Sequence, residues 1–300
     1  MIINLVSRDN GVGLTTDMEL LEDILRPAGH DVERVPWRNR SMRRCNVAIY
    51  LELFNPALLP YAAKSIGIFN LEWFEARWRP WLPRLRQLWA KSTEAHDTLR
   101  TWGLRNVHHT GFASRDMLDE TVPRELRCIH LAGHSSLKGT EQVIQAWRAD
   151  PGLPELTIIS EREWDVPAHV RLLRGHIDEA DKRRELNAAA IHVCPSRSEG
   201  WGHYITEALS MRATVVTTDA SPMNEHVRPE HGVLVPSLVA GRRHFANDHA
   251  VSPQAVAEAV RRAAAMSDAE RATVGELGRQ HVLARTAHFA ETALALLRRL

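Results

Sequence analysis

Short apolar runs alternate with helix-period segments along the chain, and the alternation breaks once and then restarts. Residues 2–6, 31–35, 46–50, 65–69, 88–90 and 106–109 read as strands. Helix-period segments over 18–28 and 92–102 lie among them and are stopped by Gly29 and Gly103. Strands alternating with helices imply a parallel, doubly wound sheet. The Pro- and acid-containing stretch 119–125 is the predicted linker. Beyond it, strands are predicted at 127–132, 156–159, 170–173, 191–194, 214–217 and 232–235, and helices at 140–148, 181–189, 203–211, 252–266 and 268–284. Three hundred residues exceed what one core usually fills. The chain therefore reads as two α/β domains, 1–120 and 126–285, with a last stretch, 290–300, that is apolar on one side.

The second half holds the most chemistry. Glu199 and Glu207 stand eight positions apart around the turn Gly200-Trp201-Gly202. Glycines let bare backbone N–H groups approach an anion. The helix pattern beginning at His203 adds unpaired N–H donors and a positive dipole end. Glu207 lies one turn into that helix and can reach a hydroxyl beside the anion; Glu199 precedes the turn and can reach one on the other side. Carboxylates accept strong, charge-assisted hydrogen bonds from sugar hydroxyls. On spacing alone, a strand-turn-helix with surface glutamates fits equally well. A second loop, Gly133-His134-Ser135-Ser136-Leu137-Lys138-Gly139, offers glycines for close approach, small hydroxyls and one cation, which suits a phosphate. A surface turn with a solvated lysine is its plainer reading.

The ordered set Pro195-Ser196, Glu199, Gly200-Trp201-Gly202, Glu207, Thr214-Val215-Val216 and Glu225 resembles the nucleotide-binding signature of the retaining glycosyltransferases of family 4 (glycosyl transferases group 1). The resemblance is strong over 127–236, fair over 88–112 and 252–300, and weak over 1–87. It implies the GT-B fold: two Rossmann-like, doubly wound domains facing a central cleft, with the C-terminal helix 286–300 crossing back to the first domain. It implies a hexosyltransferase-type enzyme that moves a sugar from a nucleotide-diphosphate sugar, UDP or GDP, to a hydroxyl with retention. No cofactor is implied beyond that co-substrate. Family members place an Arg after the first Gly of the 133–139 loop and a Lys before the last, both against the donor pyrophosphate. Lys138 matches the Lys, but His134 stands at the Arg position, which leaves the second cation to Arg197 or Arg8.

The donor contacts implied are Gly133, His134, Ser135, Lys138, Glu199, Gly200, Trp201, Gly202, His203, Tyr204, Thr206 and Glu207. Gly175 and His176 fall where family members read the base with main-chain groups. Gly11 and Gly13, in the loop Asn10-Gly11-Val12-Gly13, match the family's Gly-rich first loop. Lys138, Glu199 and Glu72 are the expected catalytic residues. Glu72-Trp73 replaces a His that many family members carry near the sugar. Glu72 can bind a sugar or acceptor hydroxyl and Trp73 can stack on a sugar face; alternatively, Trp73 is core and Glu72 pairs with Arg77. The chain has no Asp-x-Asp pair to hold a metal on a diphosphate. The expectation is a metal-independent reaction with the phosphates resting on Lys138 and the helix start at His203.

Composition mainly excludes. The chain is 44% hydrophobic and 25% charged with net charge +1, so no global charge selects a partner. No apolar run approaches the roughly 20 residues of a membrane span, and the first residues enter a strand without a leader-like pattern, so a cytoplasmic setting is expected. Cys45, Cys128 and Cys194 are widely spaced and read as reduced core residues. Charge is uneven in one place: residues 34–105 carry thirteen basic side chains against five acidic ones, with Trp37, Trp73, Trp78, Trp81, Trp89 and Trp102 interleaved. That window suits an anionic acceptor, DNA with a hydroxymethylated base or a membrane surface, or is simply a solvated arginine-rich face. The acceptor stays open among a glycan, a lipid and such DNA. The alternative function is a non-catalytic nucleotide- or nucleic-acid-binding module on a GT-B frame.

Overall fold

Residues 1–175 and 177–300 are described by a computed structural model. Contacts divide the chain into two units: Met1–Ala113, Arg242–Ala246 and Arg285–Leu300 form unit 1, and Ser114–Gly241 and Asn247–Ala284 form unit 2. His176, an expected base contact, lies outside the described residues.

Unit 1 runs β1 (Ile2–Ser7), α1 (Gly13–Leu25), β2 (Asp31–Pro36), β3 (Cys45–Leu51), β4 (Ala62–Ile68), β5 (Gln87–Ala90), α2 (Thr93–Thr101) and β6 (Val107–His109). Its strands pair in parallel in the order β2-β1-β3-β4-β5-β6. The central strands are apolar on both faces, as a covered parallel sheet requires: Ile3, Leu5, Val6, Ala48, Ile49 and Tyr50 are fully buried. Ser92 caps α2 by accepting from the Ala95 amide. Between β4 and β5, residues Ala76–Arg84 form a 3-10 helix that the helical periodicity does not announce. Pro80 and Pro83 lie inside it and cannot donate the amide bonds of an α-helix.

Unit 2 holds β7 (Glu125–Gly133), α3 (Thr140–Ala149), β8 (Leu156–Ser160), β9 (Val170–Arg174), α4 (Glu179–Ala188), β10 (Ala189–Cys194), α5 (His203–Ser210), β11 (Thr214–Thr218), α6 (Met223–His226), β12 (Gly232–Val235) and α7 (Pro253–Ala265), and most of β13 (Leu238–Arg243), β14 (Ala246–Ala250) and the first part of α8 (Asp268–Arg298), whose remaining residues belong to unit 1. Its parallel sheet is ordered β12-β11-β10-β7-β8-β9, and β13 pairs with β14 separately. Trp147, Val193, Val216 and Val256 centre its core.

Three elements differ from expectation. The stretch expected as linker lies within unit 2, where the Asn187 side chain accepts from the Asp119 amide at 2.9 Å and donates to Met117 O at 3.0 Å. Local composition cannot reveal a clamp from a residue 68 positions away. The helix expected to stop near residue 284 instead continues unbroken for 31 residues as α8. Its Gly275 is fitted against the end of α5, since a Cβ there would come within 2.1 Å of Arg212 O. The β13–β14 hairpin was not expected; its Phe245 packs edge-on against Trp102 with centroids 4.8 Å apart, inside unit 1.

Candidate functional site

The two loops singled out in the second half meet at the carboxyl ends of β7 and β10. Gly139 opens α3 at φ +68°, and a Cβ on it would lie 2.2 Å from Pro195 O. Only glycine permits that contact. Beside it, the Arg197 amide donates to Leu137 O at 2.7 Å. These two backbone contacts carry Lys138 to the start of the Glu199 loop. Its ammonium sits 4.1 Å over the Tyr204 ring. Ser196 Oγ donates to Glu199 Oε1 at 2.6 Å and lies 2.6 Å from Tyr204 Oη. With its one proton given to Glu199, the Ser196 hydroxyl accepts from the Tyr204 O–H. Thr218 Oγ1 fixes the Ser196 carbonyl at 2.7 Å. The cation, ring, hydroxyl and carboxylate thus form one short array.

The array is electrostatically coupled. Burial pushes the Glu199 carboxyl up, against the Lys138 charge and the Ser196 hydrogen bond. Burial pushes Lys138 down, against Glu199 first and Glu207 further off. An anion arriving at Lys138 would favour its ammonium form. Burial also holds the Tyr204 phenol well above its ordinary range, so it stays a donor.

Gly202 precedes α5 in the left-handed region, at φ +91°. The Ile205 amide donates to Gly202 O at 2.9 Å, and the N-terminus of α5, the positive end of the helix dipole, lies next to the array. Glu207 is one turn along, half-buried, and its carboxylate has no hydrogen-bond or ion-pair partner among the described residues. Ser198 Oγ is likewise buried without a partner among the described residues. Trp201 points inward: it is 3% exposed, its indole donates to Ser114 Oγ at 3.2 Å, and its carbonyl accepts from His226 Nε2 at 2.6 Å. Its side chain anchors the turn. Thr206 is fully buried and donates to His203 O at 2.9 Å, so it too supports the helix start.

His134, at the position expected for an Arg, and Arg197, a candidate for the second cation, both face carboxylates. His134 Nε2 lies 2.6 Å from Glu161, and Arg197 makes a bidentate pair with Asp248 at 2.9 and 2.5 Å. Gly133 and Ser135 line the loop, with Ser135 Oγ accepting from the Leu137 amide. Gly175 follows β9 at φ +91°. Among the described residues no three His, Cys, Asp or Glu converge to hold a metal.

Gly11, Gly13 and Glu72 belong to unit 1. Gly11 turns the β1–α1 loop at φ +68°, where Thr15 Oγ1 accepts its amide at 2.8 Å. Glu72 follows β4 and is 4% exposed. Trp73 is 42% exposed and not core, with Arg243 4.1 Å over its ring, and Arg77 pairs with Glu75 at 2.6 Å. The structure therefore gathers Lys138, Glu199 and Tyr204 together with Glu207 one turn on, and places Glu72 on the other unit.

Sequence reasoning missed His130, which locks the phosphate-type loop from below. Its Nδ1–H donates to Val193 O at 2.7 Å, and Nε2 accepts from Thr140 Oγ1 at 2.8 Å. Burial holds it neutral, with a pKa lowered to about 4. One partner is 63 residues away, so no local signal marks it.

These two sheets with flanking helices define the GT-B fold of glycosyltransferases. Residues 152–266 match the family model described as glycosyl transferases group 1. Sucrose-phosphate synthase from Thermosynechococcus elongatus is similar in structure at 14% identity and TM-score 0.73, with 99% of this chain and 98% of that one covered. A Rickettsia africae glycosyltransferase is similar at 11% identity and TM-score 0.74, covering 99% and 98%. Anabaena Alr3699/HepE, solved in complex with UDP and glucose, is similar at 14% identity and TM-score 0.74 over 100% of both chains. No curated protein matches in sequence.

Proposed function

We propose that this chain is a retaining, metal-independent glycosyltransferase that moves a hexosyl group from a nucleotide-diphosphate sugar, UDP-sugar first among the candidates, to a hydroxyl acceptor. The observation that carries the reading is the meeting of Lys138, Tyr204, Ser196 and Glu199 beside the α5 N-terminus, with the Glu207 carboxylate one turn beyond. In this reading the diphosphate lies between Lys138 and the α5 amides. Glu199 accepts from hydroxyls of the transferred sugar, and Glu207 accepts from the ribose. The bond from sugar C1 to the β-phosphate oxygen breaks and a bond from C1 to the acceptor oxygen forms on the same face. The acceptor proton passes to the leaving phosphate oxygen. Lys138 and the helix amides favour this by stabilising the charge that grows on the diphosphate. A UDP-bound neighbour of the same fold supports the choice of nucleotide.

The basic window supports an anionic partner at one place. Lys64, Arg84 and Arg86 make no salt bridge among the described residues, and they line a groove of about 640 Å³ at the amino ends of β4, β5 and β6. By contrast Arg34, Arg43, Arg77 and Lys91 are taken up by carboxylates. An anionic portion of the acceptor molecule, or an anionic surface carrying it, fits that groove. The three cysteines are free and buried, which suits a reducing cytoplasm as the setting.

The competing reading, a non-catalytic nucleotide-binding module, draws on the carboxylates that face His134 and Arg197. Nucleotide release from a panel of UDP-, GDP-, ADP- and TDP-sugars decides between them. Release from at least one donor is expected; binding of a nucleoside diphosphate without release from any sugar donor would leave the module reading standing.

A further inference from the structure

We infer that Glu52, held by Asn70 at the carboxyl edge of the unit 1 sheet, binds hydroxyls of a neutral sugar, the part of the acceptor that receives the transferred group. This rests on the glycosyltransferase reading above.

The first observation is topological. From β1 the chain winds to β2 on one side of the sheet, then from β3 onward to the other. The carboxyl ends of β1 and β3 therefore border the switch point, where open α/β sheets form their ligand crevice. Glu52 is the first residue past β3, and Ser7 Oγ at the end of β1 ties the two strand ends by donating to Leu51 O at 3.1 Å.

The second is conformational. Glu52 has φ +59°, and the Leu53 amide closes back on Leu51 O at 2.6 Å, a three-residue turn with Glu52 at its centre. That turn is strained for a residue with a Cβ, and such strain collects at ligand sites. Arg212 and His244 also have positive φ, but they terminate α5 and turn the β13–β14 tip. Glu52 has no such local reason, and glycine would relieve it.

The third is chemical. Asn70 Nδ2 donates to Glu52 Oε2 at 2.9 Å, and the Glu52 amide is fixed by Ile68 O at 2.9 Å. Glu52 Oε1 accepts no hydrogen bond among the described residues, and Asn70 Oδ1 is buried without a partner among them. The hydrogen-bonded pair thus leaves one carboxylate oxygen and one amide oxygen with unused acceptor capacity, which hydroxyl donors can fill. The nearby Lys91 is spent: it lies 2.5 Å from Asp17, both at most 3% exposed, with Phe112 4.4 Å away. Burial pushes the Glu52 carboxyl up, opposed by Asn70, Lys91 and Arg8. Trp73, whose amide donates to Asn70 O at 3.1 Å, is partly exposed beside this loop with Arg243 4.1 Å over its ring. An anionic group would meet the Glu52 carboxylate, whereas Lys64, Arg84 and Arg86, which make no salt bridge among the described residues, lie at the opposite edge of the same sheet.

The test uses the full chain with the nucleotide-sugar panel and with methyl glucosides, galactosides and mannosides as acceptors, reading nucleotide release. At least one neutral glycoside is expected to raise release threefold or more over the acceptor-free rate. Glu52→Gln is expected to raise that glycoside's KM tenfold or more, with calorimetric nucleotide affinity kept within twofold. Glu52→Gly is expected to lose the glycoside response at an unchanged or higher unfolding temperature, which a merely structural role would not give. A KM for Glu52→Gln within twofold of the parent overturns the inference. So does acceleration by DNA or anionic vesicles and by no neutral glycoside. Release that ignores every acceptor overturns this inference alone; no release from any donor overturns the glycosyltransferase reading with it.

Discussion

Lys138 is the residue on which the proposed chemistry turns. Its cation lies over the Tyr204 ring and answers to Glu199, so in the proposed reaction its charge is preorganised for the leaving diphosphate. Lys138→Ala is expected to lower kcat by about a hundredfold or more, the loss typical when one preorganised donor to a developing anion is removed. The proposed role of Glu207 is different, since its carboxylate has no partner among the described residues and lies one turn along α5. Glu207→Ala is expected to weaken UDP about tenfold by calorimetry, about 1.4 kcal/mol, while the unfolding temperature holds. That Lys138, Glu199 and Glu207 share one region was legible in the sequence because their spacing around glycine turns is local. The pairing of Arg197 with Asp248 was not, because 51 residues separate them. Trp201 was legible as part of the turn, but only packing shows that its ring is an anchor.

At the scale of elements, the site depends on the seating of β7 and α3 against β10. Gly139→Ala adds a Cβ that would press on the Pro195 carbonyl, at a φ unsuited to alanine. A loss of roughly 1–3 kcal/mol is expected in denaturant unfolding, with weaker UDP binding as the Lys138 loop shifts. The same junction is pH-sensitive. His130 and His192 are buried, with pKa values lowered from 6.5 to about 4, so the unfolded chain takes up protons first as pH falls. Their contribution to stability is whole above pH 6.5 and is lost as pH drops from there toward 4, at up to about 1.4 kcal/mol per pH unit per histidine. Unfolding temperature should be flat with respect to these groups from pH 7 to 8 and fall below 6.5; a midpoint unchanged from pH 7 to 4.5 would contradict the neutral-histidine lock. Most strands were legible because both faces are covered and their runs are apolar. The 3-10 helix Ala76–Arg84 was not, because its prolines and charges erase any 3.6-residue period.

At the scale of the whole molecule, two parallel sheets and the GT-B class followed from alternation of strand and helix patterns and from one ordered motif. What escaped the sequence is what tertiary contact decides. Residues Arg242–Ala246 belong with the first unit although they follow most of the second, and the division falls at Ala113–Ser114 without a composition change to mark it. Glu52 escaped for a related reason: a lone glutamate after an apolar run carries no motif until the sheet order places it at a switch point. The most direct test of the account is steady-state nucleotide release from the sugar-nucleotide panel by the parent chain and Lys138→Ala side by side. The account predicts release from at least one donor and a fall of a hundredfold or more in the variant. Release from none, or equal release by both proteins, would contradict it.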